Sequence, residues 1–238
     1  MKKIIYSFAV AALLFGSMLS ASAQNTLETT VGTDIVSQYI WRGQDLGDVS
    51  LQPTLGISYK GLSLSAWGSV GLSNPTDTKE FDLTLGYTVG GLNIGVTDYW
   101  FNAGLDPLNR YFTYASDCTN HLFEFTIGYD LGFASLQWYT NFAGNDGVDK
   151  RGERAYSSYL EANVPIAMGG LDWTATAGVV PFATDFYGVN GFSVVNLALT
   201  ATKDIRVTET FSIPVFAQIA ANPCSQNAYL VLGITLQP

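Results

Sequence analysis

The sequence predicts an all-β fold: a closed, up-and-down antiparallel transmembrane β-barrel of about twelve strands, preceded by a cleaved signal peptide. Three observations predict it. A period-two alternation of apolar and polar residues recurs along the chain after residue 26. The alternating runs reach about ten residues, long for a globular protein and right for a tilted strand crossing a bilayer. Short turns and longer polar loops alternate between the runs, as they do on the two rims of a membrane barrel.

The leader comes first. Lys2 and Lys3 form a basic start, Ile4 to Leu19 is an almost unbroken apolar run, and Ala21-Ser22-Ala23 is a small-x-small cleavage pattern. Residues 1–23 therefore read as a signal peptide, and 24–238 as one exported barrel domain. No Cys follows the cleavage point, so no lipid anchor is expected there. Losing Lys2 and Lys3 leaves nine basic and twenty acidic residues, net −11 over 215 residues.

The strands follow in order near 27–41, 50–60, 62–72, 79–89, 92–102, 120–131, 134–143, 155–167, 170–182, 192–203, 209–221 and 227–237. In the third, Leu62, Leu64, Ala66 and Val70 interleave with Ser63, Ser65, Trp67 and Ser69. In the fourth, Phe81, Leu83, Leu85 and Tyr87 interleave with Glu80, Asp82, Thr84 and Gly86. In the sixth, Phe123, Phe125, Ile127 and Tyr129 interleave with Glu124, Thr126, Gly128 and Asp130. Each pattern gives a strand one apolar and one polar face. Pro165 and Pro214 fall inside the eighth and eleventh runs, where each removes a ladder donor and suggests a bulge.

Gly61, Gly90-Gly91, Gly132-Phe133 and Met168-Gly169 mark the short turns. Residues 42–49, 73–78, 103–119, 144–154, 183–191 and 222–226 form the longer loops. Both termini then fall on the short-turn rim, and an even strand number closes the sheet without a leftover edge. Aromatics recur at fixed heights: Tyr59, Tyr87, Tyr129, Trp173 and Phe211 at the short-turn end, and Tyr39, Trp41, Phe81, Trp100 and Phe142 at the other. Two such girdles are expected where amphipathic rings meet lipid headgroups. A soluble β-sandwich explains the alternation, but not long strands, rim aromatics and low charge together.

Composition narrows the function. Apolar residues make up 47% and aromatics 13%, which excludes a disordered chain. Charged residues make up 13%, about half the usual share. The acidic balance, twenty Asp and Glu against eleven Lys and Arg, argues against a nucleic-acid partner. His121 is the only histidine, and its neighbour at i+3, Glu124, points to the opposite face of a strand. No Gly-x-Ser-x-Gly, His-Glu-x-x-His or Cys-x-x-Cys pattern occurs. The stretch from Asn145 to Glu153 is oxygen-rich but lacks the spacing of a calcium loop and reads as a solvated loop. No enzyme activity, cofactor or metal is expected.

The polar face is more informative. By alternation it carries Asp34, Glu80, Asp82, Glu124, Glu161 and Asp172, with Arg42 near the outer mouth and Lys60 at the inner end. Trp67, Tyr99, Tyr139, Tyr159, Phe216 and Tyr229 also point inward. Carboxylates sealed in an apolar core cost several kcal/mol each unless paired. They are tolerable in a lumen that holds water or bridging cations, and their excess there favours cations or neutral polar solutes.

The stretch Ser37-Gln38-Tyr39-Ile40-Trp41-Arg42-Gly43-Gln44, followed by Gln52-Pro53 and an alternating strand, resembles the opening of the TorF-type porin family. Ser37, Tyr39, Arg42 and Gly43 match its Ser-x-Tyr-x-x-Arg-Gly pattern, while the Pro/Gln order differs. The resemblance covers roughly residues 31–72 and implies an exported outer-membrane barrel, without naming a substrate.

The expected function is thus a passive channel for small polar or cationic solutes in the outer membrane of a Gram-negative-type envelope, with membrane lipid and the solute as its partners. Two rivals stand beside it: a non-conducting barrel whose extracellular loops serve a structural or adhesive role, and a rim-sited hydrolase using His121. Cys118 and Cys224 both fall on the long-loop rim, and an exported protein permits a disulfide. Leu105, Leu108, Tyr111, Phe112 and Tyr114 give the 103–117 loop an apolar surface that would prefer the mouth to water. A Cys118–Cys224 bridge pinning that loop across the mouth is the corresponding expectation.

Overall fold

In the computed structural model, described for residues 26–74, 76–102, 109–116, 118–209 and 211–238, fourteen strands form. The expected signal peptide lies outside the described residues. Twelve strands close into one antiparallel barrel. They are β1 (Glu28–Val36), β4 (Ser50–Tyr59), β5 (Leu62–Gly71), β6 (Lys79–Val89), β7 (Leu92–Asn102), β8 (His121–Asp130), β9 (Ser135–Gly144), β10 (Ser158–Met168), β11 (Leu171–Val180), β12 (Ser193–Arg206), β13 (Ser212–Asn222) and β14 (Asn227–Leu236). Neighbours in the chain are neighbours in the sheet, and β1 closes the ring by pairing β14 on one side and β4 on the other. The remaining two, β2 (Tyr39–Trp41) and β3 (Gln44–Gly47), make a separate hairpin.

The alternation dictates which face is wet. Leu55, Ile57, Leu64, Leu85, Ile127, Leu199, Ile219 and Leu230 project from the outer wall and are exposed. Between them, Gln52, Ser69, Thr97, Thr126, Asn163 and Thr200 turn inward and are buried. Polar groups inside and aliphatics outside invert the arrangement of a water-soluble protein. Tyr59, Tyr87 and Tyr129 stand exposed at the short-turn rim, as their spacing predicts. Tyr39 and Trp41 do not join the opposite girdle: both are buried inside the barrel.

The three in-strand prolines interrupt less than expected. β9 pairs β10 only as far as Asn163, so Pro165 lies where β10 pairs β11 alone. β14 reaches β13 only to Val215, so Pro214 likewise has one paired flank, toward β12. Pro53 sits in a gap in the β4–β5 ladder. Each proline thus occupies a place with a free side, where a missing N–H leaves no ladder bond unmade. The bulges of the barrel ladder fall elsewhere, at Phe123/Glu124 between β8 and β9, and at Gly178/Val179 between β11 and β12; a third register shift, at Tyr39/Ile40, lies in the β2–β3 hairpin.

The first long loop departs most from expectation. Ser37 ties the end of β1 to β14, its N–H donating to Leu232 O and its hydroxyl accepting from Leu232 N–H. The chain then turns into the barrel as the β2–β3 hairpin instead of standing in solvent. Buried side chains converge on it from β5, β7, β8, β9, β10 and β12.

Candidate functional site

The hairpin tip is Trp41-Arg42-Gly43-Gln44, with φ of 51° at Arg42 and 76° at Gly43. Two positive φ values at the centre of a two-residue turn match the type I′ hairpin, whose twist suits its flanking strands. Glycine at the second position has a further reason: a Cβ there would collide with the Val195 carbonyl on β12. Asn222 on β13 donates to Gly43 O at 3.1 Å and holds the tip from that side.

Arg42 is the centre of the site and is 5% exposed. Its NH1 and NH2 donate to Glu124 Oε2 and Oε1 at 2.6 and 2.9 Å, a two-pronged pair. NH1 also reaches Tyr187 Oη at 2.8 Å. The guanidinium lies 3.9 Å from the Tyr139 ring centroid, 4.4 Å from Trp41 and 4.8 Å from Tyr159. Rings on several sides and one carboxylate make a desolvated cation site in which Arg's planar fork is used fully. Burial alone would lower the Arg42 pKa, but Glu124 and the surrounding hydrogen bonds carry it upward, so the side chain stays cationic. Burial raises the Tyr187 and Tyr39 hydroxyls well above the ordinary tyrosine range; as neutral hydroxyls, Tyr39 donates to Glu80 and Tyr187 accepts from Arg42.

Around this centre each glutamate takes a tyrosine hydroxyl. Tyr99 donates to Glu124 at 2.9 Å, Tyr159 to Glu161 at 2.7 Å, and Tyr39 to Glu80 at 2.8 Å. Asn163 completes Glu161, and Asn196 donates to Tyr159 Oη. The two bulges serve this arrangement. One sits at Glu124 itself; the other brings Gly178 under the Tyr159 ring, where a side chain would overlap it. Glu80 and Asp82 share one face of β6 without an arginine or lysine in salt-bridge range among the described residues. Asp82 Oδ1 and Arg42 Nε are buried and lack a hydrogen-bond partner there.

The expected lumen residues are therefore placed inside, with two refinements. Glu80, Asp82, Glu124, Glu161, Trp67, Tyr99, Tyr139, Tyr159 and Phe216 are buried inward, while Asp34 and Tyr229 are part-buried on the same wall. Asp172 keeps the inward register but lies exposed at the short-turn end, apart from the cluster, as does Lys60 in its turn. Arg42 keeps to the long-loop end of the barrel, as expected, but is buried there between Glu124 near the start of β8 and Tyr187 of the 181–192 loop. The sequence reading missed Phe186 and Tyr187, which the 181–192 loop sends down onto Trp41 and Arg42. Nothing local marks them: they sit in a loop with no alternation.

His121 lies on the outer wall, not in the lumen. Its Nδ1 is 2.7 Å from Asp98 Oδ1, its Nε2 faces the Tyr111 carbonyl, and Tyr114 stacks on it at 4.0 Å. Asp98, a partner that spacing alone does not reveal, comes from the neighbouring strand. Tyr111 also packs on outward-facing Phe81 and Trp100, so the described part of the 103–119 loop folds over the outside wall, not across the mouth. The expected Cys118–Cys224 bridge is accordingly not formed: both thiols are exposed and free. Of that loop's apolar residues, Leu105 and Leu108 lie outside the described residues, and Phe112 is exposed.

A family model described as "Bacterial protein of unknown function (Gcw_chp)" matches residues 20–213. No curated protein matches the chain. Among solved structures it is similar to an outer membrane channel from Pseudomonas putida F1, at 12% identity and a TM-score of 0.42 over 91% of this chain and 98% of that one. It is also similar to the outer membrane proteins OprD (13%, 0.37, 89% and 64%) and opdK (11%, 0.36, 89% and 66%) of Pseudomonas aeruginosa. At that distance these likenesses carry no argument about what the barrel does.

Proposed function

The chain belongs to the Gcw_chp family of bacterial proteins, and we propose that it is an outer-membrane channel for small polar or cationic solutes, held closed by the β2–β3 hairpin. One observation carries this reading: the barrel is closed, apolar outside, and lined inside by uncharged polar groups and an excess of carboxylates. A wall of that kind is stable in lipid only around a wet lumen. The leader at residues 1–23 and the TorF-like opening support export to the outer membrane. In that orientation the long loops are extracellular and the short turns periplasmic.

The hairpin makes the second reading specific. Packed aromatics and the Arg42–Glu124 pair fill the lumen at the hairpin's height, as they would in a non-conducting barrel that works through its outer loops. Planar-bilayer conductance separates the two. Unitary steps that grow when the hairpin is loosened support the channel. A correctly folded barrel that stays silent with the hairpin deleted refutes it and leaves the structural role.

A further inference from the structure

We propose that the cavity beneath the hairpin is a binding site for a small primary ammonium ion carrying a short apolar group. The cavity lies between the hairpin and the β1–β4–β13–β14 wall. Its polar lining is Asp34, Gln38, Gln52, Gln218 and Tyr39, and its apolar lining is Val36, Ile40, Phe216 and Val231.

The argument lies in where the donors go. Gln38 spends its amide nitrogen on Asp45, Gln52 on Ser69 and Gln218 on Thr200. The Tyr39 hydroxyl donates to Glu80. Each amide commits one of its two hydrogens elsewhere and the Tyr39 hydroxyl its only one, while no described hydrogen bond uses the three amide oxygens. Asp34 takes one hydroxyl, from Thr235 to Oδ1 at 2.6 Å, and no described cation pairs with it. What faces the cavity is acceptor-rich, with a single negative charge. The four apolar side chains form a separate patch of the lumen wall, centred on buried Phe216 and Val231.

A ligand matching that lining must bring donors, one positive charge and an apolar body. A primary ammonium has three donors and no acceptor, so carboxylate and amide oxygens can satisfy it together. A carboxylate or phosphate would be repelled by Asp34, with no cation in the lining to answer it. A neutral alcohol would leave the charge of Asp34 unanswered. The proposal deepens the channel reading and rests on it for the route by which an amine arrives.

The test uses the full mature protein folded in detergent micelles and titrated by calorimetry at neutral pH. The probes are n-butylammonium, n-butanol and butyrate. Saturable one-to-one binding of butylammonium is expected, with butanol and butyrate at least tenfold weaker. Asp34→Asn should weaken butylammonium at least tenfold. Gln218→Lys, which tethers an ammonium in the cavity, should abolish binding, with folding of both variants checked by heat-modified gel mobility. No saturable binding to the wild type, or butanol binding as tightly, overturns the proposal on wild-type protein alone. Unchanged binding in folded Asp34→Asn also overturns it and moves the ammonium to Glu80 and Asp82. Binding in a barrel that never conducts keeps the site and refutes the channel; conductance without binding does the reverse.

Discussion

Arg42 and Glu124, 82 positions apart in the chain, meet inside the barrel in a two-pronged ion pair in which both side chains are almost wholly buried. The pair joins the tip of an inward hairpin to the wall, so it is the point at which a loop becomes part of the lumen. Removing one member leaves an uncompensated charge among aromatic rings. Breaking such a buried pair costs about 3–5 kcal/mol, whereas replacing both members together costs far less. Arg42→Met and Glu124→Gln should each lower the thermal unfolding midpoint strongly, and the double variant should recover part of the loss. Equal losses in the single and double variants would show that the two do not act together.

The same pair sets a prediction for conductance. If the hairpin closes the channel, the folded Arg42→Met/Glu124→Gln protein should give larger or more frequent unitary steps than the wild type in a planar bilayer. Unchanged currents would leave the pair a purely structural clamp.

Gly43→Ala should cost more than Gly132→Ala. Both glycines have positive φ, 76° and 83°, a region costing an L-residue about 1–2 kcal/mol. Only at Gly43 does the added carbon meet another strand, at the Val195 carbonyl; at Gly132 it meets open space. Denaturation midpoints of the two variants decide the order.

A conducting lumen should prefer cations. Among the described residues, Asp34, Glu80, Asp82, Glu124 and Glu161 face it against the single buried cation Arg42, already engaged by Glu124. Reversal potentials in a salt gradient should show the preference and its decline at high salt, as screening shortens the reach of the charges. Asp82→Asn should reduce it. Anion preference in the wild type is incompatible with the proposed selectivity.

Trypsin added to intact cells should cut after Lys150 or Arg151 and spare Lys60 and Lys203. The first pair sits on the long-loop rim and Arg151 is well exposed; the second pair lies at the opposite rim. Exposed loop tips are the preferred sites of nicking. The reverse pattern, with cleavage at Lys60 before the outer membrane is opened, would invert the orientation.

All twelve barrel strands lie where the alternation puts them, within a few residues, except that the first stops at Val36 instead of Trp41. That success has a local cause: the period of two is written in consecutive residues, and a one-residue slip would send every aliphatic side chain into the lumen. The wall residues Glu80, Asp82, Glu124, Tyr139 and Tyr159 were legible for the same reason. The sequence by itself therefore determined the barrel, its faces and its rims. Only the tertiary structure decided which way the loops fold. Tyr39-Ile40-Trp41 carries no pattern that separates a rim girdle from a plug. The choice depends on Glu124, Tyr187 and Asn222, brought within reach only when the ring closes. The same holds for Tyr111 and Tyr114, whose partners Asp98 and His121 come from two strands of the outer wall. A loop's direction is set by long-range partners of fixed geometry, and that information is absent from any stretch of neighbouring residues.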